Sequence, residues 1–286
     1  YLPPYKTFCA RFEKPIVQDE DANAVRRLNQ FTGPFILRRM KSEVLRELPP
    51  KTENVRRVEL ETEQRKLYLA AVVDAREKLR AAKPEDKMTV FAVLMRLREI
   101  CCDPRLVVDN WTGSSAKLEA CLELVTEAVA GGHRILLFSQ FTSMLELLAK
   151  RLDEAGVSHF TLQGSTPKPV RAEQVRRFNQ GEADVFLISL RAGGTGLNLT
   201  AADIVIHYDP WWNLAAQNQA TDRAYRIGQR NPVQVYRLIA QDTIEEKIVE
   251  LQQAKQSLAD TVTGGADGAI LSMNPEQLLQ LLGEEA

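Results

Sequence analysis

Three segments of this sequence bring glycine, hydroxyl and arginine side chains together at spacings that could hold a phosphate. The first, Leu190 to Asn198, places Gly193, Gly194 and Gly196 within four residues. Such a loop lets the backbone approach a ligand and present amides to an anion, and it serves equally as a plain turn. The second runs from Gln219 to Gln229. On a helix Arg223 and Arg226 share a face, and Gln219, four residues before Arg223, joins them. Two guanidinium forks and an amide aimed at one point suit a polyphosphate, because arginine neutralises charge that develops in phosphoryl transfer. A solvated helix with an Asp222 to Arg226 ion pair accounts for the same residues. The third is the turn Gly164-Ser165-Thr166-Pro167. Hydroxyls at a helix start suit a phosphate or an ordinary N-cap.

The chemistry that is absent narrows the reading. A P-loop needs G-x-x-x-x-G-K-[ST], and the dipeptide Gly-Lys does not occur in the chain. Asp153-Glu154-Ala155-Gly156 imitates an acidic metal box, but it ends a leucine-periodic helix where such a box should follow a buried strand. The sequence thus offers arginines for a phosphate without the lysine loop or the carboxylates that hold a nucleotide and its Mg²⁺. The dinucleotide fingerprint fits poorly, because a strand rather than a helix follows the glycines.

These loops need a frame, and from His133 onward apolar runs alternate with amphipathic stretches. Strands are predicted over 133–138, 157–162, 184–189, 203–208 and 233–239, and helices over 143–155, 168–179, 214–226 and 243–259. Alternation of this kind predicts right-handed crossovers and a parallel α/β sheet covered on both faces. The candidate loops then fall at the carboxyl ends of strands, where open α/β sheets bind ligands. Upstream, residues 21–48 and 61–106 are helix-rich and arginine-heavy, separated by the turn Leu48-Pro49-Pro50-Lys51. Downstream, a flexible break follows Ala259, and Asn274-Pro275-Glu276 opens a short leucine-rich helix.

The 286 residues carry 37 basic and 38 acidic side chains, with a surplus of five positive charges through Asn110 and of seven negative charges after Ala240. Arginine supplies 24 of the basic residues, which suits phosphate without giving the overall basic footprint of a stand-alone nucleic-acid binder. Four cysteines and three histidines are too scattered for a disulfide framework or a metal cluster, so no metal site is expected within the chain. No apolar run approaches the ~18 residues that span a bilayer. The first residue is Tyr1 and no secretory pattern follows, so the chain is expected to be cut from a longer, soluble, intracellular protein, in cytoplasm, nucleoid or nucleus.

Several blocks in order resemble the C-terminal motor lobe of the SWI/SNF-type DNA translocases, the sucrose-nonfermenting-two family of helicase superfamily two. Phe35 to Val44 with Leu48 to Lys51 is similar to the family's entry into its interlobe linker, and Leu97 to Pro104 to its "LRQxCxHP" element. Leu137 to Phe141 resembles motif IV, Ser189 to Leu199 motif V, and Gln219 to Gln229 motif VI. Val235 to Ile239 with Thr243 to Lys247 resembles the brace region. The likeness runs from about Phe31 to Leu258. Two departures are Tyr225, where the family usually has histidine, and Cys102-Asp103, where it often has asparagine and histidine.

The resemblance implies a RecA-like lobe with a helical protrusion, divided as 1–110 (end of a first lobe, linker and protrusion), 111–240 (lobe two) and 241–286 (brace and tail). It implies an ATP-dependent double-stranded DNA translocase, inactive without an N-terminal RecA-like lobe that holds ATP and Mg²⁺. Arg223 and Arg226 would be arginine fingers, with Gln219, Gly194 and Gly196 beside the ATP site. Ser139, Gln140, Ser165, Thr166, Arg191, Thr195 and Trp211 would contact the DNA backbone. The partners implied are that lobe, double-stranded DNA and a DNA-bound protein complex, with no membrane. A non-catalytic DNA or protein interaction module with the same fold is the alternative.

Overall fold

The computed structural model describes residues 3–17, 21–35, 48–190, 192, 196–261 and 273–283. The chain divides into two bodies, residues 1–47 with 251–267 and residues 48–250 with 268–286. In the first, a helical stretch over residues 5–17 contains a π-helical turn at Cys9–Glu13 and is followed by α1 (Ala22–Thr32). Asp21 caps α1 by accepting the Asn23 amide at 2.8 Å. Phe12, Ile16, Ala24 and Leu28 form its small core.

The second body is a six-stranded parallel sheet: β1 (Lys51–Val58), β2 (Ile135–Ser139), β3 (His159–Leu162), β4 (Val185–Ser189), β5 (Ile204–His207) and β6 (Val233–Ala240). The order is β1-β6-β5-β2-β4-β3. Strands β2, β4 and β5 are buried at every position, because both faces are covered. Leu137, Leu187 and Ile206 pack on α4 (Ala116–Ala130) and α5 (Thr142–Glu154). Leu136, Phe138, Phe186 and Val205 pack on the other face, against Phe178 of α6 (Lys168–Asn179) and Ala220 of α7 (Leu214–Thr221). Upstream of α4, α2 (Thr62–Ala81) pairs with α3 (Lys87–Cys102). Downstream, β6 leads into α8 (Ile244–Thr261), and α9 (Pro275–Leu281) returns to pack on α2 and α3.

The five predicted strands and the parallel α/β class are present. The sixth, β1, was not anticipated: it falls between the two expected helical regions, starts in the predicted turn, and pairs with β6 from Lys51↔Val233 to Val58↔Ala240. Helix α4 and its leucine face were not anticipated. Helix α7 ends at Thr221, five residues before its predicted end, with Asp222 as C-cap. Most of the Phe35 to Val44 block and of the break after Ala259 lies outside the described residues. Among the described residues no helix is long and apolar enough to cross a membrane.

Candidate phosphate-binding edge of the sheet

All six strands run the same way, so their carboxyl ends lie along one edge, and this edge carries most of the predicted site. Chain order places Ser165 and Thr166 after β3, residues 191–196 after β4, Ser139 and Gln140 at the end of β2, and Trp211 after β5. In sheet order the ends of β3, β4, β2 and β5 form a row about 14 Å across, three strand spacings. The connections leaving β2 and β5 depart in opposite directions, so the pair marks the topological switch point where a crevice opens.

The row is not uniform. Gln140 and Trp211 are half-buried and Ser165 is exposed. The Thr166 hydroxyl accepts the Gln163 amide at 3.0 Å and so closes its own turn. Helix α6 has Pro167 as N-cap and no side-chain cap, so neither hydroxyl plays the N-cap role. Ser139 is fully buried and donates its hydroxyl to Asp209 Oδ1 at 2.6 Å. Its hydroxyl therefore does not face the edge, a correction to its reading as a surface contact. Arg191, Gly194 and Thr195 lie outside the described residues. Gly196 holds a positive φ of 33°, a backbone state that favours glycine.

The Arg223 and Arg226 pair is built differently from the helical face expected of it. Only Gln219 sits on α7, where it is exposed; the two arginines follow in a turn. That turn is held from both sides. Leu199 donates its amide to the Arg223 carbonyl at 3.0 Å, tying it to the glycine loop. Gln229, buried, donates to the carbonyls of Ala202 (2.7 Å) and Ala224 (3.2 Å) and accepts the amides of Arg230 and Asn231. Gly228 closes the turn at φ 103°. Arg223 is 6% exposed, and its Nε and Nη2 have no hydrogen-bond partner among the described residues. Burial, and then the charge of Arg226, pull its guanidinium below the usual arginine value, with Asp222 partly opposing. Arg226 is exposed. A buried cation with unsatisfied donors beside an exposed one could accept an anion. Tyr225 packs against the core on the α6 and α7 face, and Lys51 lies over its ring at 5.8 Å.

Behind the row lies a polar cluster that the sequence reading missed. Asp209 accepts Ser139 and the Gln140 amide (3.1 Å) on Oδ1 and Arg98 Nη2 (3.1 Å) on Oδ2. Arg98 Nη2 also donates to the Pro210 carbonyl at 2.6 Å, and its guanidinium stacks on Trp212 at 4.3 Å. Arg98 and Asp209 are fully buried. A second buried pair, Lys117 and Glu245 at 2.6 Å, joins the start of α4 to the start of α8. His207 donates or accepts at Thr221 Oγ1 (2.9 Å) and stacks on Phe138. The available signal was a charge beside an apolar run: Asp209 directly after the strand around Tyr208, Arg98 within an apolar helix.

The helicase conserved C-terminal domain matches residues 116–228, and the SNF2-related domain matches residues 2–106. The chain is 38% identical over 285 residues to an uncharacterized ATP-dependent helicase of Mycoplasma pneumoniae, covering 98% of this chain and 27% of that protein. It is 37% identical over 255 residues to the SWI/SNF-related matrix-associated actin-dependent regulator of chromatin subfamily A member 1 of Mus musculus, covering 85% and 24%. The Sulfolobus solfataricus SWI2/SNF2 ATPase core in complex with double-stranded DNA superposes with a TM-score of 0.70 at 30% identity, covering 99% of this chain and 61% of that one. The chain spans about a quarter of the length of these two curated relatives.

Proposed function

The chain belongs to the SNF2-related family of helicase-like ATPases, and from that premise we propose that it supplies the second RecA-like lobe of an ATP-dependent double-stranded DNA translocase. In this reading residues 111–240 are that lobe, 1–110 the linker and protrusion with the end of the first lobe, and 241–286 the brace and tail. Arg223 and Arg226 are the arginine fingers, with Gln219, Gly194 and Gly196 beside them. The observation that carries the reading is the buried Arg223 guanidinium with two donors unpartnered among the described residues, next to exposed Arg226. A transferring phosphoryl group gains most from cations that are already fixed and already stripped of water.

The chain's own side chains define what must come from elsewhere. With no Gly-Lys dipeptide it carries no P-loop of its own. ATP and Mg²⁺ are therefore assigned to a first RecA-like lobe that carries the lysine loop and the acidic box, and this chain alone is assigned no hydrolysis. Gln140, Ser165, Thr166, Arg191, Thr195 and Trp211 are assigned to the DNA backbone. Contacts of that kind position a motor without reading sequence, as stepping along any DNA requires.

The test is ATP hydrolysis by the full-length protein with and without double-stranded DNA. Strong stimulation that collapses in Arg226→Ala supports the reading. Folded protein with no turnover, with or without DNA, refutes it and leaves a non-catalytic interaction module.

A further inference from the structure

We infer that Arg98 is a positioning residue for the DNA-contacting edge: acting through Asp209, it locks Gln140 and the Trp211-Trp212 segment to helix α3. The inference rests on the proposed function for its readout in DNA binding, but the geometry behind it is independent of that reading. Phe91, Met95 and Arg98 recur at i, i+4 and i+7, one stripe of α3. Each meets a different part of the edge. Phe91 packs edge-on against Trp212 at 6.3 Å. The Met95 sulfur accepts Gln140 Nε2 at 3.7 Å. Arg98 reaches Asp209 and the Pro210 carbonyl, the last carbonyl before Trp211.

Asp209 is the hub because its two oxygens serve two elements. Oδ1 holds the Ser139 hydroxyl and the Gln140 amide at the end of β2, and Oδ2 holds Arg98 of α3. The Ser139 hydroxyl then accepts the Phe141 amide at 3.1 Å, fixing the chain as it turns into α5. The loops after β2 and β5 flank the switch point of the sheet, so one helix stripe sets the relative position of both. Arg98 Nε and Nη1 remain buried and unpartnered among the described residues. For stability alone this is a poor arrangement, since a buried ion pair is commonly replaceable by apolar side chains of similar volume at no loss. Its geometric specificity is what an apolar replacement could not supply.

The experiment uses the full-length protein and three variants, Arg98→Met, Asp209→Asn and the double substitution. Either single change leaves one buried partner uncompensated and should lower the thermal midpoint. The double change removes both charges and should restore it. Positioning predicts that the restored double variant still needs on the order of tenfold more double-stranded DNA for half-maximal ATPase stimulation, while its rate at saturating DNA is retained. It also predicts faster amide exchange at 140–141 and 211–212 in that variant. A double variant with normal half-saturation and normal local exchange overturns the inference, because the pair would then act only on the fold. Absence of DNA stimulation in the unsubstituted protein refutes the proposed function instead, and amide exchange alone then decides the inference.

Discussion

Acidification from pH 8 to pH 5 should remove roughly 2 kcal/mol of stability through one side chain, His207. The ring is 1% exposed, stacked on Phe138 with centroids 5.6 Å apart, and engages Thr221 Oγ1 through Nε2 at 2.9 Å. Burial, reinforced by the charge of Arg237, depresses its pKa from 6.5 to about 3. The folded protein therefore keeps it neutral while the unfolded chain takes up a proton below pH ~6.5, so unfolding binds protons. The contribution is fully present above pH ~6.5 and is lost as the pH falls toward 3. At pH 5 the unfolded state gains RT ln(1 + 10^1.5), about 2 kcal/mol. Other groups titrate in the same range, so the informative quantity is the difference from His207→Gln, whose amide can still reach Thr221 but does not titrate. Urea unfolding followed by circular dichroism at pH 8 and pH 5 gives that difference at each pH. The penalty of the substitution should shrink by about 2 kcal/mol between them. A gap that stays constant within about 0.5 kcal/mol would refute a neutral, sealed His207.

Three further outcomes are expected. In the full-length protein Arg226→Ala should lower DNA-stimulated ATP hydrolysis by ~10³-fold or more with little change in unfolding midpoint, since Arg226 is exposed. Lys117→Met strands buried Glu245 and should cost about 3–5 kcal/mol in urea unfolding, most of it recovered in Lys117→Met/Glu245→Gln. Gln229→Ala should cost about 2 kcal/mol and raise amide exchange at 230 and 231, whose amides donate to its side chain.

The frame was legible because both faces of the central strands are buried. Continuous apolar runs such as Ile135 to Phe138 and Val185 to Ile188 stand out against their polar flanks, and α5 between them keeps a leucine period. Strand β1 carries no such signature. It is an exposed edge strand rich in charge, whose Glu53 pairs with Arg237 and Lys51 and whose Arg56 reaches Glu123. Charges suit an edge, where they discourage pairing with another chain, but they erase the pattern by which a strand is recognised. Helix α7 failed for the opposite reason. Residues 222–226 remain helix-compatible in type, yet Gln229 and Leu199 capture the backbone that follows Thr221 and hold it in a turn.

The same contrast explains the site. Residue type and spacing were enough to bring Arg223 and Arg226 to notice, and the family resemblance added Gln140 and Trp211. They could not tell a presented group from a supporting one. Ser139 and Gln140 are adjacent and equally polar, but the pleat turns Ser139 inward to Asp209, 70 residues away, and leaves Gln140 at the edge. Arg98 lies farther still from Asp209, 111 residues, on a helix whose other buried positions are apolar. Pairings at that separation are written in no local spacing; they exist only once β2, β5 and α3 have met. Residues presented at the edge are therefore read from the loops, whereas those that hold them in place are read only from the fold.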